Sequence, residues 1–127
     1  MPKLLLVADA EWVANEVRAA LALGAWDIEL LTDPRQVAER VTDSDYDAVV
    51  VDMQVAAMGG MAVIRAIRQA TVRGTRPRLV LLLDRVADRF IARRSGADAA
   101  VLKPIPTAKL RQALGMTPAV VGAEEEE

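Results

Sequence analysis

Four ionisable side chains follow short apolar segments of the sequence, each at the point where a segment ends: Asp9, Asp52, Asp84 and Lys103. Carboxylate oxygens bind hard cations such as Mg²⁺, and a lysine ammonium group can neutralise a phosphoryl oxygen. An aspartate placed beside both can accept a phosphoryl group in a covalent bond. These residue types therefore predict phosphoryl transfer, provided that the fold brings the side chains together.

The apolar segments are typical of buried strands, and they alternate along the chain with helical patterns. The segments lie at 4–7, 28–31, 48–51, 79–83 and 99–102. Because they are apolar throughout, we predict an α/β fold in which helices cover both faces of a parallel sheet. We expect a doubly wound, five-stranded sheet in the strand order 2-1-3-4-5.

In this strand order the first and third strands are neighbours, so the side chains of Asp9 and Asp52 should converge. Lys103 ends the fifth strand at the same edge, where open parallel sheets form their binding sites. Each residue also has an ordinary alternative: Asp9 can cap a helix, and Asp52 or Lys103 can lie in a solvated loop. Their joint placement favours a common site.

Local signals predict where several helices begin and end. Asp33 is a predicted N-cap, with Pro34 at the first helical position and Gln36 completing a capping box. Asp84 is predicted to cap a helix whose apolar residues are Val86, Phe90 and Ile91. Glycines are predicted to end helices at Gly24, Gly96 and Gly115.

Composition indicates a single globular domain, predicted at residues 1–115, followed by an acidic flexible tail at 116–127. The chain of 127 residues has neither Cys nor His, so disulfides, His-based metal sites and Ser-His catalysis are excluded. No apolar segment reaches the length of a membrane span. We expect a cytoplasmic protein that contacts no membrane.

The charges are unevenly distributed. Residues 1–52 carry 11 acids and 4 bases, whereas residues 53–111 carry 3 acids and 12 bases. A basic region can bind a partner or nucleic acid, and it can equally be the solvated surface of two helices. Because no nucleic-acid-binding motif accompanies the bases, we do not expect nucleic-acid binding.

Three separated motifs resemble the response-regulator receiver domains of two-component signalling. Residues 46–53, which read YDAVVVDM, with MGGM at 58–61, resemble the phospho-acceptor region. Residues 96–104, which read GADAAVLKP, resemble the strand-five signature, and residues 4–11 resemble the first strand with its acidic corner. The resemblance implies a flavodoxin-like receiver fold with five strand–helix units.

The resemblance also implies roles for individual residues. Asp52 would accept the phosphoryl group and Lys103 would contact it. Mg²⁺ would be held by Asp9, Asp52 and the backbone carbonyl of Gln54. The bond between Lys103 and Pro104 would be cis, as is usual in this family.

Three positions depart from the family pattern. Ala8 replaces one of the two acids after the first strand, which should weaken Mg²⁺ binding rather than abolish it. Leu83 stands where the family has a Thr or Ser hydroxyl; a shift of one position would place Leu82 or Asp84 there, and neither has a hydroxyl. Ala100 replaces the usual aromatic switch residue. Together these changes predict that the usual coupling of phosphorylation to a conformational change is missing.

Two functions are compatible with these residues. The first is a phosphorelay receiver that accepts a phosphoryl group on Asp52 with Mg²⁺, and the second is a degenerate receiver that acts as a phosphorylation-independent interaction module. Neither is an enzyme beyond self-catalysed phosphoryl transfer to Asp52 and its hydrolysis. A flavin site is disfavoured because the acidic segment 8–11 repels phosphate, and an aspartyl phosphatase because Gln54 replaces its second acid.

The partners implied by the resemblance are a histidine kinase or a phosphotransfer protein. A downstream protein is expected to bind the face formed by helix four, strand five and helix five. Homodimers through the last helices are also compatible with the resemblance. The bases predicted on this face are Arg85, Arg89, Arg93 and Lys109.

Overall fold

The structure, a computed structural model, describes residues 2–22, 26–71 and 76–115. The strands are β1 (Lys3–Val7), β2 (Asp27–Leu31), β3 (Ala48–Asp52), β4 (Arg78–Leu83) and β5 (Ala99–Leu102). The helices are α1 (Glu11–Ala20), α2 (Val37–Asp43), α3 (Gly59–Ala70), α4 (Asp88–Ser95) and α5 (Thr107–Ala113). The predicted helix end at Gly24 and the predicted tail at 116–127 lie outside the described residues.

All the strand pairs are parallel, and the sheet order is β2-β1-β3-β4-β5. The predicted fold class and strand order are therefore confirmed. Val7 pairs with Val51, and Asp52 pairs with Leu82. This register brings the carboxyl ends of β1, β3 and β4 to one edge of the sheet, which is the edge predicted to hold the site.

Both faces of the sheet are buried, which explains why the strand segments are apolar throughout. Successive strand residues point to opposite faces, so Leu4 and Leu6 lie in one core while Leu5 and Val7 lie in the other. α1 and α5 cover the first core, and α2, α3 and α4 cover the second. The helical residues that pack there include Val13, Val17 and Leu110 in the first core and Val37, Val63, Ile64 and Ile67 in the second.

The segment before α2 has the predicted N-cap but lacks the predicted capping box. The Asp33 side chain accepts a hydrogen bond of 3.1 Å from the Arg35 backbone N–H, which confirms Asp33 as an N-cap. The turn that it caps is a 3₁₀ turn at Pro34–Gln36, and α2 follows from Val37. Gln36 makes no side-chain cap hydrogen bond, so the predicted capping box does not form.

The prediction for α4 was wrong in two respects. The helix begins at Asp88 after Ala87, so Asp84 does not cap it and Val86 precedes it. The inner face of α4 is formed by Asp88 and Ala92, four residues apart, whereas Phe90 is 63% exposed. Val86 and Ile91 are also exposed. Gly96 ends the helix with a φ of 94°, as predicted.

Asp98 fastens β4 to β5 and so fixes the strand that carries Lys103. Its carboxylate accepts hydrogen bonds from the backbone N–H of Leu79 at 2.7 Å and from both terminal nitrogens of Arg76 at 3.1 Å. Although partial burial raises the pKa of Asp98, the hydrogen bonds from Arg76 and Leu79 outweigh burial and lower that pKa below its usual value.

Within the described parts of the chain, no helix is both long and apolar enough to cross a membrane. The longest of the helices described, α3, has 12 residues.

The contribution of Asp98 to stability should depend on pH. Asp98→Asn is expected to lower the free energy of unfolding by about 1 kcal/mol at neutral pH, because it removes the ion pair with Arg76. The folded-state pKa is the lower one, so the contribution is complete above the unfolded-state pKa of about 3.9 and is lost as the pH falls through the folded-state pKa. Urea unfolding at a series of pH values measures the difference.

Asp45→Asn, the loss of an exposed acid, is the matched control and should leave stability nearly unchanged. A difference between wild type and Asp98→Asn that persists unchanged into strong acid would contradict the assignment.

Candidate functional site

Lys103 is the centre of the site. It follows β5 directly, its side chain is only 5% exposed, and its ammonium nitrogen lies 2.6 Å from Asp52 Oδ1 and 3.0 Å from Asp84 Oδ1. A buried cation is stable only when it is paired and hydrogen-bonded, and here two carboxylates surround one ammonium group. The three residues come from the ends of three neighbouring strands.

The pKa of Lys103 reflects these contacts. Burial lowers it, because the charged form loses water, but the hydrogen bonds to Asp52 and then to Asp84 outweigh burial and raise it above its usual value. The lysine is therefore a fixed positive charge at any physiological pH. This charge is held where a group bound to Asp52 would develop negative charge.

Asp52 is the last residue of β3 and is only 2% exposed. Its Oδ1 accepts hydrogen bonds from Lys103 and, at 3.1 Å, from the backbone N–H of Gln54. Among the described residues, both side-chain hydrogen bonds to Asp52 fall on Oδ1. Oδ1 is thus held by two hydrogen bonds, and Oδ2 accepts none from the described residues.

Asp9 lies two residues beyond the end of β1 and belongs to the same edge. Its Oδ2 accepts a hydrogen bond of 3.1 Å from the backbone N–H of Ala56, in the loop that follows Asp52. The prediction that Asp9 and Asp52 gather at one edge is therefore consistent with their positions on neighbouring strands. Ala8 is 1% exposed and packs in the core, so it adds no polar group to the site.

The loop between β3 and α3 approaches the sheet closely. The Gly60 N–H donates to the Met53 carbonyl at 3.1 Å, and a Cβ at Gly60 would lie 2.8 Å from Met53 Cα and 2.9 Å from the Asp52 carbonyl oxygen. Only glycine fits there. Ala57 in this loop has a φ of 79°, a left-handed conformation that alanine rarely adopts. The loop that bears the Gln54 carbonyl is thus held in a specific shape.

Asp84 has a contact that sequence reasoning missed. Its position at a strand end predicts a helix cap, whereas its carboxylate pairs with Lys103. The alternation of strand side chains between the two faces could have indicated this contact. Asp52 pairs with Leu82, and Asp84 lies two residues beyond Leu82, so it points to the same face of the sheet as Asp52. Leu83, between them, is fully buried in the core of the opposite face.

Trp12 and Ala100 define the surroundings of Lys103. The Trp12 ring centroid lies 5.4 Å from the Lys103 ammonium nitrogen, within the range of a cation–π contact, and the side chain is half exposed. Ala100, which stands where the family usually has an aromatic residue, lines a groove of about 680 Å³ between α4 and α5. The basic residues of this groove are Arg78, Arg89, Arg93, Lys103 and Lys109.

The segment after Lys103 is anchored to α1. The bond between Lys103 and Pro104 is cis, as the resemblance implied. The Ile105 N–H donates to Glu16 Oε1 at 2.9 Å.

The acidic groups of the site are few. Among the described residues, no three Asp or Glu side chains cluster closely enough to form a metal site by themselves. Mg²⁺ can be bound through one or two carboxylates, with oxygens from the backbone and water completing its shell. Asp9 and Asp52 supply carboxylate oxygens at this edge of the sheet, a type of donor that suits a cation of this kind rather than one that needs an all-carboxylate cage.

Comparison with known proteins gives a consistent result. The transcriptional regulatory protein TrcR of Mycobacterium tuberculosis is 30% identical over 109 residues, which cover 85% of this chain and 42% of TrcR. The response regulator MprA of Mycolicibacterium vanbaalenii is 30% identical over 109 residues, covering 85% of this chain and 46% of MprA. The chain thus spans less than half the length of these relatives.

Solved structures show the same fold. The chemotaxis response regulator CheY4 of Vibrio cholerae superposes with a TM-score of 0.75 at 19% identity, over 91% of this chain and 97% of that one. The receiver domain of the sensor histidine kinase PA1611 from Pseudomonas aeruginosa, solved with magnesium in its active-site cleft, has a TM-score of 0.76 at 22% identity, over 89% of this chain and 93% of that one.

The family model of the response regulator receiver domain matches residues 4–115, which span all the strands and helices described above except Lys3, the first residue of β1. This chain belongs to the response regulator receiver domain family.

Proposed function

We propose that this receiver domain accepts a phosphoryl group on Asp52 in a Mg²⁺-dependent step of a phosphorelay. The observation that supports this most strongly is the buried contact of 2.6 Å between the Lys103 ammonium nitrogen and Asp52 Oδ1. Burying a charged pair costs free energy, and ionisable groups in such costly, strongly paired environments are concentrated at functional sites.

The chemistry that these residues support is a nucleophilic displacement at phosphorus. A carboxylate oxygen of Asp52 forms a bond to phosphorus, while the bond between phosphorus and the donor's imidazole nitrogen breaks and its electron pair stays on that nitrogen. Lys103 neutralises the negative charge on the phosphoryl oxygens. The N–H of Gln54 holds Oδ1 of Asp52, so the carboxylate keeps a fixed orientation during attack.

Mg²⁺ would be held by Asp9, Asp52 and the Gln54 carbonyl, and it would neutralise charge on the transferring group. The magnesium ion in the active-site cleft of the PA1611 receiver domain supports this choice of metal. Because Ala8 contributes no acid, we expect weaker Mg²⁺ binding than a site with two acids after β1 would give.

The donor we propose is the phosphohistidine of a histidine kinase or a phosphotransfer protein. The face that would bind a downstream protein, or a second copy of the chain, is formed by α4, β5 and α5, and we call it the output face. It displays exposed apolar residues in α4 and in the turn before it, together with several bases. These residues are Val86, Phe90, Ile91, Arg89, Arg93 and Lys109.

A second candidate function is an interaction module that does not depend on phosphorylation. The observation that favours it is the exposure of Val86 and Phe90 at 66% and 63%. Phe90 follows Arg89, which lines the same groove as Ala100. Large apolar side chains that cluster at a surface mark interaction sites. Such a surface is available whether or not Asp52 carries a phosphoryl group.

Phosphorylation is tested by incubating the protein with a small-molecule phosphodonor and Mg²⁺ and recording its intact mass. Wild type is expected to gain one phosphoryl group, and Asp52→Ala none. Asp9→Asn should need a higher Mg²⁺ concentration for the same rate, because it removes a proposed ligand. Lys103→Ala should label at least about tenfold more slowly, as expected for the loss of an electrostatic stabiliser.

Asp45→Ala, which changes an exposed acid outside the site, is the control and should label like wild type. Absence of labelling in folded wild type, or equal labelling of Asp52→Ala, would refute the proposal.

The output face is tested by replacing Phe90 with Ser and measuring self-association by sedimentation equilibrium. Because Phe90 is exposed, its replacement should change the free energy of unfolding by less than about 0.5 kcal/mol, whereas Ile64→Ala in the core should cost about 2–5 kcal/mol. If the output face mediates contacts between copies of the chain, the Phe90→Ser variant should no longer self-associate. Equal association of wild type and Phe90→Ser would exclude α4 as a contact between copies.

Association that is unchanged by labelling and by Asp52→Ala, but is lost in Phe90→Ser, would favour the second candidate function.

A further inference from the structure

Asp84 gives this receiver domain a second carboxylate at its lysine. The ammonium nitrogen of Lys103 lies 3.0 Å from Asp84 Oδ1, compared with 2.6 Å for Asp52 Oδ1. Two negative charges therefore share one positive charge, and the trio carries a net charge of −1. Lys103 is the side-chain partner of Asp84 among the described residues.

The three members of the trio differ in their freedom to move. The side chains of Asp52 and Lys103 are 2% and 5% exposed, whereas that of Asp84 is 32% exposed. Asp84 also follows the last residue of β4, so no strand pairing holds it. If the charge balance of the site changes, Asp84 is the member that can turn out into solvent.

We propose that Asp84 transmits phosphorylation of Asp52 to α4: the phosphoryl group takes Lys103 away from Asp84 and repels the Asp84 carboxylate, which releases the segment 84–88. This inference rests on the proposed function. A phosphoryl group carries a charge of about −1.5 to −2 near neutral pH and offers several acceptor oxygens, so it competes strongly for the single ammonium group.

The segment that Asp84 holds leads directly to the output face. Asp88, the first residue of α4, is 3% exposed and accepts hydrogen bonds from the backbone N–H and the guanidinium of Arg85 at 3.3 and 3.2 Å. Hydrogen bonds between Arg85 and Asp88 thus join the residue after Asp84 to the first residue of α4. Val86 lies between these two residues and Phe90 one helical turn beyond Val86, so displacement of Asp84 changes what α4 presents.

The proposed role of Asp84 differs from that of a hydroxyl switch, because the phosphoryl group repels a carboxylate and attracts a hydroxyl. A hydroxyl at the end of β4 would be attracted to the phosphoryl group and would pull the loop inward. The Asp84 carboxylate is repelled and moves the loop outward, and it needs no aromatic partner at position 100. The phosphoryl group can favour one conformation of the segment 84–88 over the other, because it breaks the ion pair between Lys103 and Asp84 and forms a stronger one with Lys103.

The experiment compares wild type with Asp84→Asn, which keeps the shape of the side chain and removes its charge. Both proteins are labelled with a small-molecule phosphodonor and Mg²⁺, and backbone amide ¹H–¹⁵N spectra are recorded before and after labelling. In wild type we expect labelling to shift the amides of residues 85–92. In Asp84→Asn we expect labelling to occur, at a rate raised because the site is less negative, with shifts at 85–92 that are several-fold smaller.

Asp45→Asn, which also removes one negative charge, should behave as wild type. Labelled Asp84→Asn with shifts at 85–92 as large as those of wild type would overturn the inference while leaving the proposed function intact. Labelled wild type without shifts at 85–92 would overturn it in the same way. Wild type that takes up no phosphoryl group would overturn the proposed function, and the inference with it.

Discussion

A buried ammonium group shared by two carboxylates determines how this protein can work. Lys103 is 5% exposed, and such a cation remains charged only if anions lie beside it. The ends of β3 and β4 supply Asp52 and Asp84, which keep the pKa of Lys103 high despite burial. The sheet order, the strand register and the Asp98 brace between β4 and β5 all serve to bring these strand ends together.

The three departures from the family pattern, at Ala8, Leu83 and Ala100, all leave the site without a polar or aromatic side chain at that position. Ala8 packs in the core, Leu83 fills the opposite face, and Ala100 leaves a groove, so none of them contributes a polar or aromatic group to the site. What remains is purely electrostatic: one cation, two carboxylates on it, and a third carboxylate, Asp9, fixed to the loop after Asp52. A site of this composition responds to added negative charge by redistributing ion pairs.

The sheet and most of the site could be predicted from sequence because both follow from simple periodicities. Continuous apolar segments require a sheet covered on both faces, and residues that directly follow those segments must meet at one edge. This reasoning placed Asp52 and Lys103 together. It could not give the direction of the Asp84 side chain or the start of α4, because both depend on a short loop whose conformation is fixed by the hydrogen bonds of Asp88. The apolar residues Val86, Phe90 and Ile91 did not reveal which side of α4 packs against the sheet, because a different helix start changes which residues face inward. The buried residues of α4 are Asp88 and Ala92.

The shared lysine is tested most directly by a double-mutant cycle between Asp84 and Lys103. Free energies of unfolding are measured for wild type, Asp84→Asn, Lys103→Met and the double variant. If both carboxylates depend on the same ammonium group, the coupling energy between the two positions should be about 1–3 kcal/mol. Effects that add to within about 0.3–0.5 kcal/mol would show that Asp84 and Lys103 do not interact, which would contradict the account.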